Sequence, residues 1–113
     1  MTPEEYVEVL SKVAERRGWA LNPDKDIVLE LARGLLTNRE RYGIAYCPCR
    51  VIVGDRETDR KIVCPCVYAE ADIREYGRCY CGLYVSRDVA EGEREIPKVI
   101  PDRHAEALFT SGR

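Results

Sequence analysis

Residues 47–81 read CPCRVIVGDRETDRKIVCPCVYAEADIREYGRCYC and contain all six cysteines of the 113-residue chain. The cysteines form three C-x-C doublets, which are Cys47-Pro48-Cys49, Cys64-Pro65-Cys66 and Cys79-Tyr80-Cys81. Six unrelated core thiols have no reason to pair three times at positions i and i+2, so the doublets indicate one functional site. A residue before proline is biased toward extended backbone, and the first two doublets are therefore predicted to lie outside helices.

The cysteine count favours a particular division of roles. A [4Fe–4S] cluster takes four thiolates. A structural zinc site also takes four ligands, usually from C-x2–4-C pairs and often with histidine, whereas the single histidine here, His104, lies far from the doublets. Two spare thiols beside zinc would have no electron source, but beside a cluster they form a dithiol–disulfide couple. The count therefore favours a cluster with a redox disulfide, although the spacing does not identify which two cysteines are spare.

The residues before the doublets predict two helices. Thr2 as N-cap, Pro3 at the first helical position and Glu5 three residues after the cap form a capping-box pattern, and Gly18 is the predicted stop. The second helix is predicted to start with Asn22 as N-cap and Pro23 at its first position, and to end near Gly43. The apolar stripes of the two helices are Tyr6, Val9, Leu10, Val13 and Ala14, then Ile27, Val28, Leu31, Ala32, Leu35 and Leu36.

The remaining segments predict short elements. We expect a charged loop with one helical turn over 50–63, a short helix over 67–76, and an extended piece over 83–85. Pro97 and Pro101 predict a tail that wraps over the surface without a long helix, with His104 exposed. The predicted fold is mostly α: one small domain over residues 1–113, with irregular cysteine-bearing loops organised around one [4Fe–4S] cluster.

Composition excludes several functional classes. Hydrophobic residues make up 45% of the chain and charged residues 34%, and the formal net charge is −2. We find no basic stripe of the kind that binds nucleic acid, and no run approaches the ~20 apolar residues of a membrane helix. The acidic N-terminus is unlike a signal peptide, so a cytoplasmic protein is expected. In that reducing compartment, cysteines serve more often as metal ligands or redox groups than as structural disulfides.

Four segments together resemble the CPC…CPC…CHC signature of ferredoxin:thioredoxin reductase catalytic chains: Arg41-Tyr42-Gly43, Cys47-Pro48-Cys49-Arg50, Cys64-Pro65-Cys66-Val67 and Cys79-Tyr80-Cys81-Gly82-Leu83-Tyr84. The resemblance spans positions 41–85, about 40% of the chain. It implies that a [4Fe–4S] cluster is bound by Cys47, Cys64, Cys66 and Cys79. It also implies that Cys49 and Cys81 form the redox-active pair, with Cys81 nearer the iron and Cys49 more exposed.

The resemblance further implies an enzyme that passes single electrons from ferredoxin, or a similar donor, to a disulfide that reduces thioredoxin or a glutaredoxin-like protein. Plant-type relatives pair with a small companion subunit, which is a further possible partner here. Arg74, Arg78 and Arg87 are candidates for a ferredoxin-binding face, against the simpler interpretation that they are solvated. Two other functions fit the doublets: a non-enzymatic electron carrier and a structural zinc-binding interaction module.

Two residues beside the cysteines are of special interest. Tyr80 occupies the position of the family's usual histidine, and its reference pKa near 10 makes it a poor proton shuttle at neutral pH. Because some archaeal and anaerobic relatives also depart from the plant-type pattern, the resemblance is to that type of ferredoxin-dependent disulfide reductase. Arg50 follows Cys49 directly, and either stabilises its thiolate or is an ordinary exposed or ion-paired arginine.

Overall fold

The computed structural model describes the backbone of residues 1–111 and the side chains of residues 1–108. The elements are α1 (Pro3–Arg17), β1 (Ala20–Leu21), α2 (Lys25–Tyr42), α3 (Arg56–Arg60), α4 (Ala69–Tyr76), β2 (Tyr84–Val85), α5 (Arg87–Ala90) and α6 (Arg103–Ser111). The predicted small, mostly helical fold with cysteines in loops is confirmed. No helix in the described part of the chain has the length and apolar character needed to span a bilayer.

Helix α1 begins and ends as its sequence predicts. The Thr2 hydroxyl accepts from the Glu5 amide at 3.1 Å, and the Glu5 carboxylate accepts from the Thr2 amide at 2.8 Å, which completes the capping box. Gly18 closes the helix with φ of 78°, a backbone conformation that glycine adopts without steric cost. The next residue, Trp19, is buried and leads into the strand that follows.

The predicted start of α2 is wrong by two residues. Asp24, not Asn22, is the N-cap, and its carboxylate accepts from the amides of Asp26 and Ile27. The Asn22 side chain instead donates to the Gly82 carbonyl at 2.8 Å, while its own carbonyl oxygen accepts from the Asp24 amide at 2.9 Å. Asn22 is therefore used to join the helical half of the chain to the loop that follows the third doublet.

The hydrophobic core joins α1 and α2 to the cysteine-bearing half. It contains Leu10, Ala14, Trp19, Val28, Leu31, Ala32, Leu35, Cys66, Ala69, Ile73, Cys79, Leu83 and Tyr84. The antiparallel pair β1–β2 supports this arrangement, with Leu21 opposite Tyr84 and with the rings of Trp19 and Tyr84 5.3 Å apart. Cys66 and Cys79 thus form part of the same core as the helix leucines.

Two stripe positions that were predicted to make apolar contacts, Val9 and Ile27, are instead 42% and 41% exposed.

The tail differs from its prediction. Residues 97–102 do wrap without helix, but α6 follows directly after Pro101 and Asp102. The Asp102 carboxylate accepts from the amides of His104 and Ala105 at 3.0 and 3.1 Å, so it caps the start of this helix. His104 is 4% exposed rather than on the surface, because α6 turns its first residues toward the cysteine loops.

Gly34 lies where α2 approaches the first doublet closely enough to leave no room for a side chain. A Cβ at this position would lie 2.7 Å from Cβ of Pro48, the residue between Cys47 and Cys49. In a free helix, Gly→Ala would stabilise by about 1 kcal/mol. Here the rigid proline ring must move, so we expect Gly34→Ala to destabilise by about 1–3 kcal/mol in urea unfolding.

Thr37→Ala is the matched control for Gly34→Ala, since Thr37 lies on the exposed side of the same helix. It should stabilise slightly, by at most about 0.7 kcal/mol. A Gly34→Ala protein as stable as the wild type would show that the helix and the first doublet do not make this contact.

Candidate functional site

Main-chain pairing brings the first two doublets side by side. The Cys47 amide donates to the Ile62 carbonyl at 2.8 Å, and the Cys64 amide donates to the Ala45 carbonyl at 3.0 Å. Between these bonds, Tyr46 and Val63 form an antiparallel bridge. The extended backbone expected before each proline is what allows the two segments to pair.

The third doublet lies in a tight turn. The Gly82 amide donates to the Cys79 carbonyl at 3.0 Å, and Gly82 has φ of 82°, which a side chain would disfavour. The Cys79 amide in turn donates to the Tyr84 carbonyl at 2.9 Å, and the Tyr84 amide donates to Cys79 Sγ at 3.3 Å. The turn places Cys81 Sγ 3.8 Å from Cys79 Sγ.

Five of the six cysteines line one cavity. Its wall consists of Cys47, Cys64, Pro65, Cys66, Ala69, Cys79, Tyr80, Cys81 and Tyr84. Cys49 is not part of the wall and is exposed, whereas Cys81 is half-buried. The structure therefore brings together all four cysteines expected to bind a cluster and one member of the expected redox pair, and it leaves the other member accessible.

The thiols affect one another's pKa values. Hydrogen bonds with the Cys47 and Cys81 thiols lower the pKa of Cys49, and the positive charges of Arg78 and Arg50 act in the same direction. A hydrogen bond with Cys81 lowers the pKa of Cys79 to about 7. Cys49 and Cys79 are therefore the cysteines most readily held as thiolates in this arrangement of sulfurs.

Burial acts in the opposite direction on the second doublet. It raises the pKa of both the Cys64 and Cys66 thiols. Such thiols remain protonated at neutral pH unless a cation binds them, because the charge of an unbound thiolate would be desolvated. Burial therefore makes these two thiols poor nucleophiles toward an outside partner, in contrast to Cys49.

The donor set fits an iron–sulfur cluster. Cys47, Cys64, Cys66 and Cys79 supply four soft sulfur ligands from three loops around one cavity. No three His, Cys, Asp or Glu side chains among the described residues converge to hold a single ion. Four cluster ligands need not meet at one point, because each binds a separate iron. Two N–H···S contacts, from the Tyr84 amide and from Arg50, also suit metal-bound thiolates.

Arg50 is a buried, ion-paired residue, one of the two interpretations that the sequence left open. Its side chain is fully buried. The guanidinium hydrogen-bonds to the Asp102 carboxylate, lies 3.9 Å from Asp72 Oδ2, and places Nη2 3.8 Å from Cys66 Sγ. The charge of Arg50 also helps to lower the pKa of Cys49. The sulfur that the guanidinium contacts, however, is that of Cys66, an expected cluster ligand.

Arg78 has a role that its sequence position did not reveal. The sequence offered it only as a candidate for a ferredoxin face. Its guanidinium donates to the carbonyls of Cys79, Tyr80, Pro97 and Lys98, at 3.1, 2.6, 3.1 and 2.8 Å respectively. It therefore ties the third doublet to the tail and places a positive charge near Cys49.

Comparison with known proteins identifies the family. The family model described as ferredoxin thioredoxin reductase catalytic beta chain matches residues 2–106. The chain belongs to this family. The resemblance indicated by the three doublets over positions 41–85 is thereby confirmed, and it extends over both leading helices and the start of α6.

Three curated relatives carry matching names. Ferredoxin-thioredoxin reductase catalytic chain, chloroplastic, of Arabidopsis thaliana is 30% identical over 97 residues, covering 75% of this chain and 60% of the relative. The catalytic chain of Porphyra purpurea is 30% identical, covering 66% and 62%, and that of Pyropia yezoensis is 29% identical, covering 83% and 84%. The chain thus spans about three fifths of the length of the first two relatives.

Sequence reasoning missed the residues that the tail brings to this ferredoxin-thioredoxin reductase family site. Asp102 pairs with Arg50 across 52 positions of the chain. The Tyr68 hydroxyl lies 2.9 Å from Nδ1 of the buried His104, across 36 positions. The proline pattern predicted a surface tail, and the signal that could have pointed to the site was the similarity of Ile100-Pro101-Asp102-Arg103 to the tail of the family.

His104 should make stability depend on pH. Burial and the nearby Arg50 charge lower its pKa in the folded protein. As pH falls through the ordinary histidine range near 6.5, the unfolded chain takes up a proton that the folded chain resists, so stability falls. We expect His104→Gln to reduce the difference in the free energy of unfolding between pH 7 and pH 5.5.

The chain contains one histidine, so the difference between wild type and His104→Gln reports on this imidazole. The measurement is urea unfolding of both proteins at the two pH values. Equal pH dependence in wild type and His104→Gln would mean that the folded protein does not hold this imidazole neutral.

Proposed function

We propose that this chain is an iron–sulfur disulfide reductase of the cytoplasm, folded as one domain over residues 1–113. It takes single electrons from ferredoxin or a similar donor and reduces a disulfide of thioredoxin or a glutaredoxin-like protein. The observation that carries this proposal is the cavity lined by five cysteines, with the sixth exposed beside it. The names of the relatives support the donor and the acceptor, and their designation as catalytic chains supports a companion subunit.

The residues that hold the cofactor are Cys47, Cys64, Cys66 and Cys79. When bound there, a [4Fe–4S] cluster supplies one-electron chemistry next to a two-electron disulfide couple. Tyr84 contributes in two ways: its buried ring covers the cavity, and its amide donates to Cys79 Sγ at 3.3 Å. The surrounding core excludes water from these sulfurs.

The exposed member of the redox pair reacts with the acceptor. Cys49 as a thiolate attacks one sulfur of the acceptor disulfide, and the released sulfur of the acceptor takes a proton. Cys81 then attacks Cys49 Sγ in the mixed disulfide, and its thiol proton passes to the departing acceptor sulfur. The Cys49–Cys81 disulfide forms and the second acceptor sulfur leaves as a thiol. Two electrons and two protons have then passed to the acceptor, and two one-electron deliveries restore the pair.

Positions in the structure suit this order of events. Cys49 is accessible to a protein partner, whereas Cys81 is half-buried on the cavity wall beside the expected cluster ligands. Hydrogen bonds with Cys47 and Cys81 favour the thiolate of Cys49. Arg78 fixes the turn that carries Cys81 by donating to the Tyr80 carbonyl at 2.6 Å. Tyr80 lines the cavity, but no step here requires it to carry a proton.

Replacing single cysteines should separate the two roles. Cys49→Ser, purified without oxygen, should keep iron and sulfide at wild-type levels but reduce acceptor disulfides only at the background rate, since serine is not a redox group. Cys66→Ser should lose iron, because it removes a ligand. The measurements are iron, sulfide and free-thiol counts together with turnover.

These counts also test the alternatives. Full turnover by Cys49→Ser would overturn the role of that residue, and the absence of a titratable dithiol in wild-type protein would favour an electron carrier. Zinc without acid-labile sulfide would favour a structural zinc module.

The loop after Cys49 offers an apolar surface to a protein acceptor. Val51 is 75% exposed and Val53 is 50% exposed. The buried Asp59 carboxylate accepts from the amides of Val53 and Gly54, both at 3.0 Å, which holds this loop in a fixed shape. Exposed apolar side chains on a fixed loop beside a reactive sulfur favour protein contact.

Val51→Ser should weaken docking without changing the charge near Cys49. We expect KM for a protein acceptor to rise about threefold to tenfold, which corresponds to the loss of one peripheral apolar contact. Turnover with a small disulfide should stay unchanged. Ile27→Ser, at a 41%-exposed position on α2, is the control for loss of an exposed apolar side chain. Equal KM values in all three proteins would exclude this loop from the acceptor interface.

A further inference from the structure

The buried guanidinium of Arg50 contacts one sulfur atom, Sγ of Cys66. Its guanidinium Nη2 lies 3.8 Å from Cys66 Sγ, and its side chain is fully buried. The guanidinium carbon lies 4.4 Å from the ring centroid of Tyr80 and 5.2 Å from that of Tyr68. Two aromatic rings therefore restrict the guanidinium to a position against the sulfur, in a region from which water is largely excluded.

Two carboxylates lie close to the same guanidinium. Nη1 hydrogen-bonds to Asp102, and Asp72 Oδ2 lies 3.9 Å from Nη2. Each carboxylate is itself fixed: Asp102 accepts from the amides at the start of α6, and Asp72 accepts from Arg103 Nε at 2.5 Å. The tail thus supplies the direct counter-ion of a cation that contacts a core cysteine.

The positive charge of Arg50 raises the electron affinity of a redox group bound through Cys66. A buried cation stabilises the more negative, reduced state of any redox group bound through Cys66, and it does so strongly because screening by water is weak there. Asp102 offsets this effect in part, since its side chain is 32% exposed and hence more screened.

We infer that Arg50 is a positioning residue that raises the reduction potential of the centre bound through Cys66, and that Asp102 of the tail lowers it by offsetting the charge of Arg50. This inference rests on the proposed function, which makes Cys66 a cluster ligand. It assigns the C-terminal segment a part in electron transfer, although no tail residue is a ligand.

The test is the midpoint potential of the anaerobically purified holoprotein, followed by electron paramagnetic resonance during redox titration. Arg50→Gln removes the cation and should lower the equilibrium constant for one-electron reduction about tenfold, which is about 59 mV. Asp102→Asn keeps an oxygen that can accept from Arg50 and from the helix amides, but removes the negative charge. It should shift the potential upward, by less than Arg50→Gln shifts it downward.

The opposite signs are what a merely structural role would not produce. Loosening of the site by either substitution would shift both proteins in one direction or lower their iron content. Arg33→Gln, on the exposed face of α2, is the control for loss of a distant charge and should leave the potential unchanged. If Arg50→Gln does not fold, the upward shift of Asp102→Asn relative to Arg33→Gln decides the matter.

Shifts of the same sign, or an unshifted Asp102→Asn protein that retains its iron, would overturn the inference and leave the proposed function standing. Wild-type protein without iron and sulfide would overturn both. The two failures are therefore distinguishable from the metal count alone.

Discussion

Burial of cysteine sulfur within a small hydrophobic core is the constraint on which the structure depends. Cys66 and Cys79 belong to the same packed cluster as Leu31 and Leu35 of α2. A thiolate in that position is stable only when a metal ion or hydrogen-bond donors compensate its charge. The surrounding structure supplies such donors, with the Tyr84 amide at Cys79 and Arg50 at Cys66.

The same constraint explains why one sulfur remains outside. The proposed disulfide reduction requires that the group that stores electrons is buried and that the atom that meets the acceptor is exposed. The first doublet solves this locally with a turn: the Arg50 amide donates to the Cys47 carbonyl at 3.3 Å, so the chain changes direction between Cys47 and Cys49. Cys47 is buried and Cys49 is exposed within three residues of chain. Gly34 lets α2 pack directly against the proline between them.

The local sequence predicted the two leading helices, the short helix before the third doublet and the grouping of the cysteines, but it did not predict β1, α5 or α6. Capping residues predicted both ends of α1, and the spacing of the doublets predicted a shared site before any long-range contact was known. The N-cap of α2 was misplaced because Asn22 is recruited by Gly82, 60 positions away. His104 and Asp102 were missed for the same reason: their partners, Tyr68 and Arg50, are distant in the chain, and periodicity carries no information about such pairs.

The two arginines beside the doublets differ in how their charge is compensated. Arg50 is paired with carboxylates, whereas the hydrogen bonds of Arg78 in the described structure go to four carbonyl oxygens, which are dipoles without net charge. The field of Arg78 is therefore not cancelled at close range. Those carbonyls belong to two chain segments, one around Tyr80 and one around Pro97. The Arg78 guanidinium therefore links the two segments. A movement of Cys81 toward or away from Cys49 therefore also moves the tail segment around Pro97.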